Sequence, residues 1–251
     1  MRKYTSQANS EVYFFSTCLV DLFFPLAGLA GMSLLRREGL RVIYPARQTC
    51  CGQPAYNAGY REEARRVAAA QLKLFPKAIP IVVPSGSCAG MMKHHYPDLF
   101  AGTPDHHMAL DVASRIWELT GFLTEVLAIQ LQDLGEPKRV ALHSSCSARR
   151  EMGVAGASES LLAQLTGVEL VEQAYKTECC GFGGTFAVKQ PEISAAIVRD
   201  KADALREAQA ELVVSQDCGC LMNIGGALAW QGEGPETRHI AEFLWERTRE
   251  R

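Results

Sequence analysis

The sequence lacks an excess of charge of either sign. Its 26 lysine and arginine residues are balanced by 28 aspartate and glutamate residues, which leaves a formal net charge of −2. Proteins that bind nucleic acid or anionic membranes through general electrostatics carry a clear positive excess. We therefore expect neither nucleic acid nor a membrane surface as a general partner.

The sequence also lacks a secretory signal and an uninterrupted membrane-spanning run. Residues 1–12 contain one basic pair and then a polar stretch with Glu11, without the apolar core and cleavage site of a signal peptide. The apolar run of residues 12–35 contains Asp21 and Pro25. A carboxylate inside a bilayer is costly, so this run is interpreted as a strand followed by a buried helix. The expected location is the cytoplasm, where thiols stay reduced.

A flavin or nicotinamide fingerprint is missing as well. The segment Gly181-Phe-Gly-Gly184 resembles a phosphate-binding loop, but neither the full G-x-G-x-x-G pattern nor the Walker lysine pattern is present. If the chain takes part in redox chemistry, the electron acceptor must be a metal centre or belong to a partner protein.

What the sequence does contain is nine cysteines in 251 residues. They are too few for a disulfide scaffold, in which cysteine exceeds about 8% of the residues. Eight of them form a repeat, in which a single cysteine is followed by a Cys-Cys-Gly triplet and then by another single cysteine: Cys18, Cys50, Cys51 and Cys88, then Cys146, Cys179, Cys180 and Cys220. Only Cys218 falls outside this pattern.

The spacing of the cysteines predicts two copies of one unit. Cys18 and Cys146 are 128 residues apart, and the equivalent offsets for the Cys-Cys pair and the last cysteine are 129 and 132 residues. Such a near-constant offset is typical of an internal repeat. The predicted domains are residues 1–134 and residues 135–251, divided at the polar, Gly/Pro-containing turn of residues 132–138.

Strand and helix patterns alternate within each predicted repeat, and a cysteine follows each strand. The predicted strands are residues 12–17, 41–44 and 80–84, then 139–143, 168–171 and 211–215; the predicted helices are residues 28–39, 62–75, 158–166 and 193–209. This alternation predicts an α/β fold of two pseudo-symmetric repeats, each with a parallel sheet flanked by helices. Because parallel strands end at one edge of the sheet, the cysteines of each repeat should meet at that C-terminal edge.

Four thiolates in each repeat match the ligation of an iron–sulfur cluster. Helix N-termini at the same edge would favour thiolates through their amide donors and dipoles. Two other interpretations stay open: buried apolar thiols, and structural zinc, although the paired C-x2–4-C knuckles of zinc sites are absent. Three nearby polar residues, His143, Arg149 and Lys189, are candidates for binding a carboxylate substrate or for tuning a cluster.

The twin Cys-Cys-Gly arrangement resembles the cysteine-rich domain shared by the heterodisulfide reductases, the iron–sulfur subunit of glycolate oxidase and the lactate utilisation proteins. The resemblance is greatest to the lactate utilisation proteins and runs from residue 14 to residue 242. Its segments are Phe14-Phe-Ser-Thr-Cys18, Cys50-Cys-Gly-Gln-Pro-Ala55, Asn57-Ala-Gly59, Pro84-Ser-Gly-Ser-Cys88, Cys179-Cys-Gly-Phe-Gly-Gly-Thr-Phe186, Val188-Lys189, Cys220-Leu-Met-Asn-Ile224 and His239-Ile-Ala-Glu242.

This resemblance implies an iron–sulfur electron-transfer subunit of a complex that oxidises L-lactate to pyruvate for growth on lactate. It also implies two partner subunits, one of them ferredoxin-like, without which the chain is inactive. The alternatives are an iron–sulfur subunit acting on glycolate or a heterodisulfide, and a non-redox zinc scaffold.

The chain departs from the wider family at one position in each repeat. Heterodisulfide reductases close each motif with C-x-x-C, and five cysteines there hold a noncubane four-iron cluster. Here that fifth position is Met91 in the first repeat and Asn223 in the second. One ordinary four-iron, four-sulfur cluster per repeat is therefore at least as well supported, and occupation of a single repeat stays open.

Overall fold

The structure is a computed structural model that describes residues 10–232 and 234–250. The predicted absence of a signal peptide concerns residues 1–12, of which residues 1–9 lie outside this description. Within the two described ranges, no helix is both long and apolar enough to cross a membrane.

The described residues form two parallel sheets of four strands each, which confirms the predicted fold class. The strand order is β2-β1-β3-β4 in the first sheet and β6-β5-β7-β8 in the second. Every pairing is parallel. The strands are β1 (Glu11–Phe14), β2 (Arg41–Ile43), β3 (Ile81–Val83), β4 (Ile116–Glu118), β5 (Lys138–His143), β6 (Val168–Leu170), β7 (Leu212–Ser215) and β8 (Glu236–His239).

Helices connect and cover these strands. They are α1 (Cys18–Phe23), α2 (Pro25–Arg37), α3 (Gln53–Asn57), α4 (Arg61–Leu72), α5 (Gly86–Gly90), α6 (Tyr96–Leu99), α7 (His106–Ser114), α8 (Leu119–Gly121), α9 (Cys146–Arg150), α10 (Ala155–Ala163), α11 (Phe186–Lys189), α12 (Pro191–Glu207), α13 (Cys218–Trp230) and α14 (Ile240–Thr248). Two π-helical segments, Met91–His95 and Phe122–Val126, follow α5 and α8 directly.

The apolar run of residues 12–35 forms a strand, as predicted, but two helices follow it instead of one, and the second helix is only half-buried. Pro25 occupies the first turn of α2, where its missing N–H costs no hydrogen bond. Leu34 and Leu35 of α2 are fully buried, whereas Leu26 and Leu29 are more than half exposed. The interpretation as an entirely buried helix is therefore wrong for one face of α2.

A shared hydrophobic core joins the two repeats. It contains Phe14 and Phe122 from the first repeat together with Val140, Leu212 and Phe243 from the second. Helix α14 of the second repeat packs against α2 of the first repeat. Each sheet also has a smaller core on its other face. Because the central core draws on both repeats, they form one folded unit.

The connection between the repeats is fixed by a buried ion pair. The guanidinium group of Arg247, on α14, donates two hydrogen bonds to the carboxylate of Asp133. The Nη2–Oδ2 distance is 2.6 Å and the Nε–Oδ1 distance is 2.7 Å. The connection runs from the end of the π-helical segment at Val126 to the start of β5 at Lys138. The predicted boundary between residues 134 and 135 lies inside it and remains a prediction.

A chain of buried hydrogen bonds also crosses between the repeats. Glu118 Oε2 accepts from the backbone N–H and the hydroxyl of Thr120, at 2.7 and 2.6 Å. The Thr120 hydroxyl lies 3.1 Å from that of Ser158, which accepts from Gln216 Nε2 at 2.7 Å. Glu118 is 1% exposed, and burial raises the pKa of its carboxyl group to about 7. Its second oxygen, Oε1, has no hydrogen-bond partner among the described residues.

We expect Glu118 to make stability depend on pH. A carboxyl pKa raised by folding means that the folded state binds the extra proton, so its contribution is complete below about pH 4.5 and is lost as pH rises through about 7. The variant Glu118→Gln stays neutral. Its free energy of unfolding relative to wild type should therefore rise by about 2 kcal/mol between pH 5 and pH 8. Denaturant titrations at both pH values measure this, and an unchanged difference would contradict the assignment.

Candidate metal centre

The C-terminal edges of the two sheets open into one cavity of about 300 Å³. Cysteines from both repeats line it, because α1, α5, α9 and α13 begin at this edge directly after β1, β3, β5 and β7. The lining cysteines are Cys18, Cys50, Cys51, Cys88, Cys146, Cys179, Cys180, Cys218 and Cys220. The structure thus brings together all eight repeated cysteines, although they are distant in sequence.

In each repeat two of the sulfur atoms lie close enough together to bind one metal ion or cluster. Cys51 Sγ and Cys88 Sγ are 3.3 Å apart in the first repeat, and Cys180 Sγ and Cys220 Sγ are 3.0 Å apart in the second. These four thiols are buried, whereas Cys179 is exposed. All nine cysteines are free thiols, so the sulfurs are available as ligands.

The glycine of each Cys-Cys-Gly triplet has a specific structural role. Gly52 and Gly181 adopt left-handed φ angles of 87° and 82°, which other residues adopt with strain. In this conformation the Gly52 N–H points at Cys50 Sγ at 3.4 Å, and the Gly181 N–H points at Cys179 Sγ at 3.3 Å. A Cβ on Gly181 would lie 2.8 Å from the backbone oxygen of Ser194. The triplet therefore turns the backbone tightly and aims an amide donor at a sulfur.

The sulfurs of each repeat polarise one another. A hydrogen bond from Cys18 is the main reason why the pKa of Cys50 falls to about 3, and a hydrogen bond from Cys146 lowers the pKa of Cys179 to about 2. The pKa values of Cys18 and Cys146 rise correspondingly. At least one thiol in each repeat is thus ready to ionise, as metal binding requires.

The donor set fits a thiolate-bound metal or an iron–sulfur cluster in each repeat. Each repeat offers four soft sulfur donors at one end of a parallel sheet, partly shielded from water. Soft thiolates select zinc, copper(I) or iron–sulfur clusters over hard cations such as magnesium and calcium. The ligand roles of the individual cysteines remain predictions.

The residues that replace the fifth cysteine of the wider family have structural roles: Asn223 bonds to the backbone of the Cys-Cys loop, and Met91 packs in the core. Asn223 Nδ2 donates to the carbonyl oxygen of Cys180 at 2.8 Å. In the first repeat the Tyr96 hydroxyl makes the equivalent bond to the carbonyl oxygen of Cys51, also at 2.8 Å. Met91 is fully buried in the smaller core on the other face of the first sheet. Both Cys-Cys loops are therefore anchored without a fifth cysteine.

Cys218 has a packing role. It packs with Val20 and Ala27 of the first repeat in a small buried cluster, and burial raises the pKa of its thiol. Gly86 occupies the equivalent place in the first repeat and faces Ala148, where an added Cβ would lie only 2.6 Å from the Ala148 Cβ. The unpaired ninth cysteine thus fills space between the repeats where its counterpart must be glycine.

A carboxylate that sequence reasoning missed lies between the two cysteine sets. Asp217 Oδ1 accepts from the hydroxyls of Ser85 and Ser87, at 2.6 and 2.7 Å, and from the Ser87 N–H at 3.1 Å. Its Oδ2 accepts from the Ser145 hydroxyl. Both Asp217 and Ser85 stand three residues before the last cysteine of a repeat. That position indicates a helix N-terminus, but nothing local indicates a bond between the repeats.

The three predicted polar candidates lie outside the lining of the cavity. His143 is buried behind the second site, with a ring nitrogen and the sulfurs of Cys180 and Cys220 all within 4.8 Å of one another. Arg149 donates to the carbonyl oxygen of Thr177. The Lys189 ammonium lies 5.0 Å from the ring centre of Tyr60. Their proposed roles toward a substrate remain predictions.

Comparison with known proteins identifies both repeats. The model of the cysteine-rich CCG domain matches residues 12–93 and residues 140–225. The chain is 44% identical over 237 residues to lactate utilization protein A of Oceanobacillus iheyensis, covering 93% of this chain and 96% of that protein. It is 43% identical to the protein of the same name from Geobacillus kaustophilus, with coverage of 93% and 98%.

A solved structure shows the same fold. It is described as the crystal structure of a hypothetical protein from Helicobacter pylori and matches with a TM-score of 0.64 at 10% sequence identity. The match covers 96% of this chain and 49% of the solved chain, so this chain spans about half of that protein's length.

Proposed function

Because this chain belongs to the cysteine-rich CCG family together with the lactate utilization A proteins, we propose that it is an iron–sulfur electron-transfer subunit in L-lactate oxidation. The complex that contains it would convert L-lactate to pyruvate, releasing two electrons and two protons per molecule. Growth on lactate as a carbon source would depend on it.

The observation that carries this proposal is the convergence of two four-cysteine sets on one cavity. Cys18, Cys50, Cys51 and Cys88 would hold one four-iron, four-sulfur cluster, and Cys146, Cys179, Cys180 and Cys220 a second. When bound, such clusters accept and release single electrons. Two of them in one cavity suit a reaction that delivers two electrons.

The residues around the sulfurs prepare them for this role. The amide donors of Gly52 and Gly181 stabilise negative charge on Cys50 and Cys179. Tyr96 and Asn223 hold the two Cys-Cys loops in place from behind. Rigid loops reduce the structural change that accompanies each electron transfer.

We further propose that the chain works in the cytoplasm with two partner subunits, one of them ferredoxin-like. The sequence carries no flavin or nicotinamide fingerprint, so the electrons of lactate must be accepted at a cluster or by a group that a partner provides. In the absence of those subunits the chain is expected to be inactive toward lactate.

Metal analysis of protein purified without oxygen tests the proposal. We expect about eight iron and eight acid-labile sulfide per chain and no stoichiometric zinc. About four of each would mean that a single cluster is bound. Stoichiometric zinc without iron would overturn the electron-transfer function and leave a structural metal scaffold.

A further inference from the structure

The two cysteine sites are related by pseudo-symmetry, but the side chains around them differ in charge. The first difference lies three residues before the first cysteine of each repeat, where Phe15 in the first repeat corresponds to His143 in the second. Both side chains are buried. Neither ring nitrogen of His143 has a nitrogen or oxygen partner among the described residues, and the sulfurs of Cys180 and Cys220 are the acceptors that lie close by.

An unpartnered imidazole buried beside two cysteine sulfurs indicates an interaction with what those sulfurs bind. Leaving a buried polar group unpaired is costly, so such a group usually has a ligand or a hydrogen-bond partner in the working protein. The sulfurs of Cys180 and Cys220, or the cluster that they hold, are the acceptors within reach. The first site has only the apolar ring of Phe15 at this place.

The second difference lies on the helix that follows each Cys-Cys-Gly triplet. Gln71 of α4 is fully buried and bonds to Thr49, just before Cys50, through both its amide oxygen and its amide nitrogen. At the equivalent place on α12 is Lys201, which is 1% exposed and donates to the carbonyl oxygen of Tyr175. A neutral amide in the first repeat is thus replaced by a buried amine in the second.

The third difference lies three residues after the first cysteine of each repeat. There the first repeat has the exposed carboxylate of Asp21, and the second repeat has Arg149, followed by Arg150. Glu178, beside Cys179, is exposed like Asp21, so solvent screens both carboxylates, and the partly buried Arg149 is the charge that distinguishes the two sites.

We infer that the cluster of the second repeat has a higher midpoint potential than the cluster of the first, and so takes up an electron first. This inference rests on the proposed function. Reduction adds negative charge, and nearby positive groups and hydrogen bonds to sulfur stabilise the reduced form. His143, Lys201 and Arg149 supply such groups at the second site, where the first site has Phe15, Gln71 and Asp21. Electrons should therefore move from the first repeat to the second.

A redox titration of the full chain, followed by electron paramagnetic resonance, tests this order. We expect two transitions, and the variant Cys50→Ala with Cys51→Ala should remove the one at lower potential. The variants His143→Phe and Lys201→Gln place the first-repeat residue in the second repeat. Each should lower the midpoint potential of the upper transition only, by about 59 mV. At a fixed potential this changes the ratio of reduced to oxidised cluster about tenfold for a one-electron step.

Two further variants keep the test decisive. Arg206→Gln removes a positive charge from the same helix as Lys201, at a position paired with Asp203, and should move neither transition. Arg149 is partly exposed, so Arg149→Asp should fold even if a substitution at the buried His143 or Lys201 does not. It should lower the midpoint potential of the upper transition. Equal potentials, a higher potential in the first repeat, or unmoved transitions in the second-site variants would overturn the inference. Protein without iron would instead contradict the proposed function.

Discussion

Replacement of Cys220 by alanine is expected to abolish the second cluster, whereas replacement of Cys218 by alanine should leave it in place. The two residues lie on the same helix, α13, and both are buried. Cys220 Sγ lies 3.0 Å from Cys180 Sγ, and a hydrogen bond from Cys180 lowers the Cys220 pKa to about 7. Cys218 instead packs with Val20 and Ala27. The pair therefore compares a predicted ligand with a packing thiol on one helix.

The measurement is iron per chain in protein purified without oxygen, followed by growth on lactate. Cys220→Ala should lose about four of about eight iron atoms, because the second cluster would lose one of its four predicted thiolate ligands. Cys218→Ala should keep all of them and lose about 1 kcal/mol of stability from the small cavity that it creates. A strain that depends on this protein should then fail to grow on lactate with Cys220→Ala only. Full iron content in Cys220→Ala would contradict the ligand assignment.

The parts of the fold that repeat in the sequence were predictable from it. Strands β1, β3, β5 and β7 are apolar runs that end shortly before a cysteine, and the structure places them within about three residues of the predicted bounds. The helices α4 and α12 follow with clear amphipathic patterns. Local periodicity is sufficient for such elements because burial of one face selects the same conformation that the pattern favours.

Strands β4 and β8 were missed for a physical reason. Each has three or four residues and lies at the edge of its sheet, paired on one side only. Edge strands need no continuous apolar run, and β8 reads Glu-Thr-Arg-His. The sequence of β8 therefore resembles a loop, whereas β4, Ile-Trp-Glu, is apolar but too short to show a strand pattern. Glu118 and His239 at the ends of these strands nevertheless take part in buried hydrogen bonds.

The candidate site also contains residues that the sequence predicts and residues that it does not. The eight cysteines were identifiable because their spacing repeats, and the topology of parallel sheets explains why they converge. The polar residues that link the repeats were not identifiable, since Asp217 and Ser85 are 132 residues apart in sequence, and their shared position before a cysteine indicates a helix N-terminus rather than a bond between them. Nor could a pattern show that His143 is buried beside the second site rather than exposed in the cavity.

Replacement of Asp217 by alanine is expected to be the most destabilising single change at the site. Asp217 is 3% exposed and accepts hydrogen bonds from Ser85, Ser87 and Ser145, which come from both repeats. A hydrogen bond to a charged group contributes about 1.5–3 kcal/mol, and the donors would lose a common acceptor at once. Water entering the cavity would offset part of this loss, so we expect a decrease of about 3 kcal/mol in the free energy of unfolding.

A matched control comes from Asp203 of α12, whose half-exposed carboxylate pairs with Arg206 and also accepts from Gln231 Nε2 at 3.2 Å. Exposed pairs of this kind contribute little, so Asp203→Ala should change stability by less than about 1 kcal/mol. Asp217→Asn keeps one acceptor oxygen and should lie between the two alanine variants. Because Asp217 holds the starts of α5, α9 and α13 together, its loss should also lower iron content in both repeats, whereas Cys220→Ala should affect only the second. Unchanged stability in Asp217→Ala would mean that the shared hydrophobic core alone holds the two cysteine sets in place.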